Sequence, residues 1–164
     1  MNIKVRQANT ADLKRISEID EKCFSKPWGI STFEADLDDE MKALWVAEAD
    51  GKIAGYLDAF VLATCDGEVL RIATDPEFRR NKVAHNLLNF MLCYLNLNAS
   101  PRIILEVRAD NEAAIALYKS FGFNEDGIRP KYYDNSVDAV LMSRVVSIDT
   151  RVLQLDIEDG LYDK

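Results

Sequence analysis

The sequence has no apolar run approaching the roughly 18 residues that cross a bilayer as a helix, which excludes a membrane-spanning helix. Its start, MNIKVRQANTADLKRISEID, lacks the apolar block and small-residue cleavage site of a secretory signal, so the chain is expected to stay in the cytoplasm without a membrane partner. Cysteine is scarce. Cys23, Cys65 and Cys93 are an odd number, widely spaced and without a CxxC pair, which argues against a disulfide framework or a zinc site and predicts buried, reduced thiols. The single histidine, His85, has no second histidine or nearby cysteine to share a metal, so no metal site is expected and the side chain is read as solvated or capping. Basic residues are also outnumbered. Twenty Lys and Arg against 28 Asp and Glu give a formal net charge of -8, the wrong sign for gripping nucleic-acid phosphates.

What remains is an ordinary folding chain. Its 164 residues suit one domain with a sizeable core, and 48% hydrophobic content is too high for a disordered one. "NIKVRQA" alternates as a strand does, and Leu13, Ile16, Ile19 and Phe24 then recur at helical spacing. Pro27 and Gly29 break the chain, after which Ser31 and Glu34 stand three apart as in a capping box and predict a second short helix. From Lys42 to Thr74 three strand-like runs are separated by Asp50-Gly51 and Asp66-Gly67, dipeptides that tolerate the positive φ of tight hairpin turns.

Ala84, Leu87, Leu88, Met91, Leu92 and Leu95 carry the helical period of a face laid on a sheet, and Ser100-Pro101 ends it. "RIILEV" is a nearly continuous apolar strand, Asn111 caps a following helix, and Gly122 closes that helix in the left-handed position. A last strand runs through VDAVLMSRVV. The order β-α-α-β-β-β-α-β-α-β-β predicts an α/β (α+β) three-layer domain with a mixed sheet and helices on both faces. That domain is placed at residues 1–147, followed by an acidic tail at 148–164 in which Leu153, Leu155 and Ile157 alternate with polar neighbours, so that it either docks as an extra strand or stays loose.

Two stretches could carry chemistry. In "DPEFRRNKVAHNLL", Arg79, Arg80 and Lys82 crowd the start of a helix, where unpaired N–H groups and the helix dipole attract phosphate; the alternative is a solvated basic turn. In "LEVRADNEAAIALYKSFGF", Glu106 points to the face opposite Leu105 and Val107. It either meets water or a lysine, or it is a partly desolvated carboxylate able to take a proton from an amine. Tyr118 is either a core aromatic with a satisfied hydroxyl or a phenol that gives a proton to a leaving thiolate.

Taken in order, RIATDPEFRRNKVAHNLL, LEVRADNEAAIALYKSFGFNEDGIRPKYY and DAVLMSR resemble the GNAT superfamily of acetyl-CoA-dependent N-acetyltransferases over residues 2 to 146. "CFSKPW" and the tyrosine pair narrow the resemblance to RimI-type enzymes, which acetylate the N-terminal alanine of a small-subunit ribosomal protein.

That resemblance implies a mostly antiparallel, splayed sheet and a direct transfer from acetyl-CoA to an α-amine, with no acyl-enzyme because no cysteine lies in the motifs. It implies Glu106 as general base and Tyr118 as general acid. It also implies cofactor contacts from Ile72, Ala73 and Thr74, from the turn Arg79, Arg80, Asn81, Lys82, Val83 and Ala84, and from Asn111, Ala114 and Tyr118, with an Ile72 amide polarising the thioester. Trp28, Tyr132 and Tyr133 would shape the peptide-entry cleft. Lys82 departs from the family, which usually has glycine there; a positive φ at this lysine would cost on the order of 1 kcal/mol, against which its ammonium would be attracted to phosphate. Two other readings fit the same residues: a GNAT enzyme acting on a small amine or a lysine side chain, and a noncatalytic acyl-CoA-binding module.

Overall fold

The structure is a computed structural model and describes residues 1–62, 65–97 and 100–146; the acidic tail lies outside the described residues. The elements are β1 (Ile3–Gln7), α1 (Leu13–Cys23), α2 (Ile30–Asp38), β2 (Lys42–Ala49), β3 (Lys52–Phe60), β4 (Gly67–Thr74), α3 (Val83–Leu97), β5 (Arg102–Arg108), α4 (Glu112–Ser120), β6 (Asn124–Tyr133) and β7 (Val137–Val145). Their order is the one read from the sequence. They form a seven-stranded open sheet in the order β1-β2-β3-β4-β5-β7-β6. Every neighbouring pair is antiparallel except β4 and β5. No helix among the described residues is long and apolar enough to cross a membrane.

The two faces have separate cores. Leu13, Ile16 and Ile19 of α1 and Phe33 of α2 pack with Val46 and Tyr56 on one face. Val83, Leu87, Leu88, Met91 and Leu95 of α3 and Tyr118 of α4 pack with Trp45, Leu57, Leu105 and Val107 on the other. Each of these α3 leucines, fully buried, stabilises the fold by roughly 1.5–3 kcal/mol, and they stand where the helical period predicted an apolar stripe.

The pairing of β4 with β5 is short. It covers only Gly67–Val69 against Ile103–Leu105, after which the strands part and the β5-facing edge of β4 has no strand partner. A bulge lies just there. Ala59 pairs with Val69 and Asp58 with Arg71, so Leu70 is an extra residue. Without it Arg71 would share Val69's face; with it Arg71 turns to the α1/α2 side.

Three local expectations are corrected. Asp50-Gly51 is a tight turn with φ of 49° and 80°, but Asp66-Gly67 is not: Gly67 already belongs to β4, and the connection runs from Val61 to Asp66. Gly67 instead faces the core, where a Cβ would sit 2.7 Å from Leu95 Cδ1 and that side chain would have to shift. The second helix begins after Gly29 without a side-chain cap, so Ser31 and Glu34 form no capping box and both lie inside the helix. The thiols are free but not buried: Cys23 and Cys93 are half-buried and Cys65 is exposed. His85 is exposed and packs its ring 4.7 Å from that of Phe121.

Candidate active site

Where β4 and β5 part, a cavity of about 680 Å³ opens through the sheet. On the α1/α2 side it is lined by Phe24, Lys26, Trp28, Glu68, Arg71 and Glu106. On the side of α4 its lining includes Asn111, Ala114 and Tyr118, and Tyr132, Tyr133 and Asp134 close it from the β6–β7 hairpin. Alternation along β5 explains the division: Leu105 and Val107 enter the α3/α4 core, which leaves Glu106 on the opposite face.

Glu106 is 22% exposed, and its Oε1 is 3.0 Å from Nη1 of Arg129 on β6. Its partner is thus an arginine where the sequence suggested water or a lysine. Tyr118 is 4% exposed, edge-on to Phe123 at 5.7 Å. Burial first, and the nearby Tyr133 second, raise its phenol above the ordinary range, so it holds its proton at neutral pH. Asn111 caps α4 as expected, its side chain accepting from the Ala114 N–H at 3.2 Å. Trp28, Ile72, Tyr132 and Tyr133 line the cavity. Tyr132 is half-exposed and meets Tyr133 edge-on at 5.1 Å.

The expected cofactor turn lies outside this lining, as do Ala73 and Thr74. Its start is anchored by the fully buried Asp75, which accepts from the Glu77 N–H at 3.0 Å, Arg15 Nη2 at 2.6 Å and Lys22 Nζ at 3.0 Å. Burial pushes the Asp75 carboxyl up, but these donors outweigh it and hold it below the usual range. Gly55 admits the start of α3: a Cβ there would sit 2.7 Å from Val83 Cγ1 and 2.6 Å from the Ala73 carbonyl.

Beyond Asp75, Arg80 has φ 64° and Lys82 φ 61°. Left-handed residues that alternate with right-handed ones are the backbone pattern of anion-binding nests, and two left-handed residues flank Asn81 here. The first N–H groups of α3 have no acceptor within the helix. Arg79, Arg80 and Lys82 are exposed around them, and Asn81 Nδ2 holds the turn from within by donating to the Phe78 and Arg79 carbonyls. A pyrophosphate fits this chemistry. The strain expected at Lys82 is therefore present, and Arg80 shares it.

The wall made by residues 24–28 rests on a network that the sequence reading missed. Asp20 Oδ1 is 3.1 Å from Arg71 Nε and also accepts from the Tyr56 hydroxyl, while Oδ2 accepts from the Trp28 N–H at 2.5 Å. Arg71 donates to the Lys26 carbonyl at 3.0 Å, and its guanidinium lies 3.8 Å from the Phe24 ring centroid and 4.4 Å from that of Trp28. Lys26 in turn pairs with Asp134 of the hairpin. One signal was available: Asp20 stands one turn after Ile16, on the apolar stripe of α1, where a carboxylate needs a partner. Nothing in the sequence marks the bulge that brings Arg71 to it.

A sequence model of the acetyltransferase (GNAT) family matches residues 13–123. The chain belongs to that family. The ribosomal protein bS18-alanine N-acetyltransferase of Escherichia coli (strain K12) is 31% identical over 147 residues, 88% of this chain and 98% of that one. Its counterpart in Salmonella typhimurium is 33% identical over 143 residues, 85% and 95% of the two chains. The crystal structure of the ribosomal-protein-S18-alanine N-acetyltransferase from Escherichia coli superposes with a TM-score of 0.82 at 32% identity, covering 89% of this chain and 95% of that one. Ard1 from Thermoplasma volcanium shares the fold, with a TM-score of 0.83 at 24% identity over 90% of this chain and 99% of that one. GNAT enzymes take their acetyl group from acetyl-CoA, so this chain is an acetyltransferase of that kind.

Proposed function

We propose that the protein acetylates the α-amine of a protein N-terminus, with the N-terminal alanine of a small-subunit ribosomal protein as substrate and the cytoplasm as its setting. The observation that carries this is the passage through the splayed sheet: carboxylates and an aromatic wall on one side, Tyr118 on the other. In this reading the Arg80–Lys82 turn and the start of α3 hold the pyrophosphate, and bound acetyl-CoA supplies the thioester. The parted edge of β4 near Ile72 offers backbone groups to its carbonyl. Glu106 receives a proton from the amine, and Tyr118 gives its proton to the departing sulfur. The named activity of the Escherichia coli and Salmonella relatives supports the peptide substrate. Trp28, Tyr132 and Tyr133 offer aromatic surface to the first residues of the peptide.

The test is the mass of ribosomal-protein N-terminal peptides incubated with the protein and acetyl-CoA. A gain of one acetyl group on the alanine amine is expected. Turnover of small amines or lysine side chains without any peptide product would replace the peptide reading, and tight CoA binding with no turnover of any amine would make the chain a binding module.

A further inference from the structure

A carboxylate that receives a proton needs one of its two oxygens for the task. The other is open to a partner that fixes the group's orientation. At Glu106 that partner is Arg129, whose Nη1 lies 3.0 Å from Oε1. Glu106 forms no other ion pair among the described residues.

The two residues stand two strands apart. Ala139 of β7 pairs with Arg108 on one side and Arg129 on the other, and Leu141 pairs with Glu106 and Gly127. All six therefore share one sheet face, and Arg129 leans from the edge strand β6 across β7 toward β5. Ala139 stands beside Arg129 in its row, and its methyl leaves the long side chain room to cross. Directly after Arg129 the ladder breaks, with Pro130, Lys131 and Tyr132 set against Asp138 alone. Lys131 is left-handed there, and its N–H donates to Asp138 Oδ1 at 2.8 Å. This bulge carries the Tyr132 ring back over the arginine, 5.6 Å from its guanidinium carbon.

Charge adds a second reason for the pairing. Glu68 pairs in register with Ile104, so it lies on the same face as Glu106, and both line the cavity. Burial first, and the charge of Glu106 second, raise the Glu68 carboxyl above its usual range, and Arg129 opposes this. The other cations of the lining have carboxylates of their own. Arg71 has Asp20 at 3.1 Å, Arg108 has Asp110 at 2.9 Å, and Lys26 has Asp134. Tyr132 and Tyr133 are the phenols on this face, and burial first and Glu106 second raise that of Tyr133, so it stays neutral at pH 7. From β7 come the uncharged Ala139 and Leu141.

We infer that Arg129 is a positioning residue of the transfer: it holds Oε1 of Glu106 so that Oε2 is left to the amine, and its charge offsets the repulsion between Glu106 and Glu68. This rests on the reading above in which Glu106 receives the amine proton. Arg129 acts through that carboxylate and takes no proton itself.

The experiment follows kcat/KM for an alanyl ribosomal-protein peptide against pH in the wild type, Arg129→Gln and Arg129→Lys. Each variant is expressed as a ratio to the wild type, so the peptide's own ionisation, common to all, drops out. Arg129 is 55% exposed, so its replacement spares the core, and an unchanged KM for acetyl-CoA checks this. Arg129→Gln is expected to lose about fivefold near pH 8, and the loss should grow by up to a further tenfold as the pH falls to about 5, because carboxylates left without their cation take up a proton more readily. Arg129→Lys keeps the charge and should stay within about threefold of the wild type throughout. A loss in Arg129→Gln that is the same at every pH would reduce Arg129 to a structural prop, and activity within about twofold of the wild type at every pH would make the pair idle; either overturns the inference. Wild-type turnover by Glu106→Gln, with Arg129 intact, would instead remove the reading on which the inference rests, and the inference with it.

Discussion

In the wall formed by residues 24–28, the cation Arg71 is 9% exposed and is engaged by Asp20, the Lys26 carbonyl and two aromatic rings. In the turn before α3, Arg79, Arg80 and Lys82 are all exposed, and two of them stand in left-handed conformations. The first arrangement fixes a surface of aromatic side chains in advance. The second leaves positive charge and N–H groups for a ligand to use, and accepts backbone strain to present them. Buried carboxylates divide in a similar way. Asp20 has Arg71 as counter-charge, whereas Asp58, fully buried on β3, faces Asp36 of α2, and burial first and that carboxylate second push its own carboxyl up.

The largest effect is expected from Asp20→Ala. It leaves the Arg71 guanidinium buried without its counter-charge and removes the partner of Tyr56 and the Trp28 N–H, so stability should fall by about 3–5 kcal/mol. Denaturant unfolding measures this, and in the surviving folded protein the peptide KM should rise while the acetyl-CoA KM holds. A loss below about 1 kcal/mol would mean that the wall is not held by this network.

Tyr118→Phe comes next and concerns the far side of the cavity. With the ring retained in the core, the fold should persist while turnover falls by about 10- to 100-fold. Single-turnover rates per folded molecule check this, and unchanged rates would reduce Tyr118 to a core aromatic.

Asp58→Asn sharpens the contrast between paired and unpaired buried carboxyls. Burial first, and Asp36 second, push the Asp58 carboxyl up to about 8. The folded state therefore keeps a proton that the unfolded chain releases, so stability falls as pH rises from the unfolded value toward about 8 and levels off above it. The asparagine has no such proton to lose. It should flatten that slope and raise stability at pH 7 by on the order of 1–2 kcal/mol, read from melting temperatures across the range. An unchanged slope would place the titration elsewhere.

The smallest effect is expected at Lys82→Gly. Relief of the left-handed strain and loss of one phosphate-facing charge oppose each other at about 1 kcal/mol apiece, so acetyl-CoA affinity should change by less than about tenfold. Its dependence on salt should weaken, because one cation is gone. A large gain in affinity with the same salt dependence would show that Lys82 never reaches the phosphates.

The sequence by itself determined the order of elements, the core face of α3, the Asn111 cap and the side of β5 to which Glu106 points. Each of these is set by residues a few positions apart, through the periods of helix and strand or a local hydrogen bond. Where local signals failed, a distant contact had taken precedence: Gly67 answers to Leu95 across the core and not to a turn. Tertiary structure alone decided that Leu70 is extra in β4, that Arg71 thereby meets Asp20, that Arg129 reaches Glu106, and that Glu68 and Glu106 share a face. Strand register and charge pairing across the sheet join residues tens of positions apart, and a spacing along the chain carries no record of which strand lies beside which.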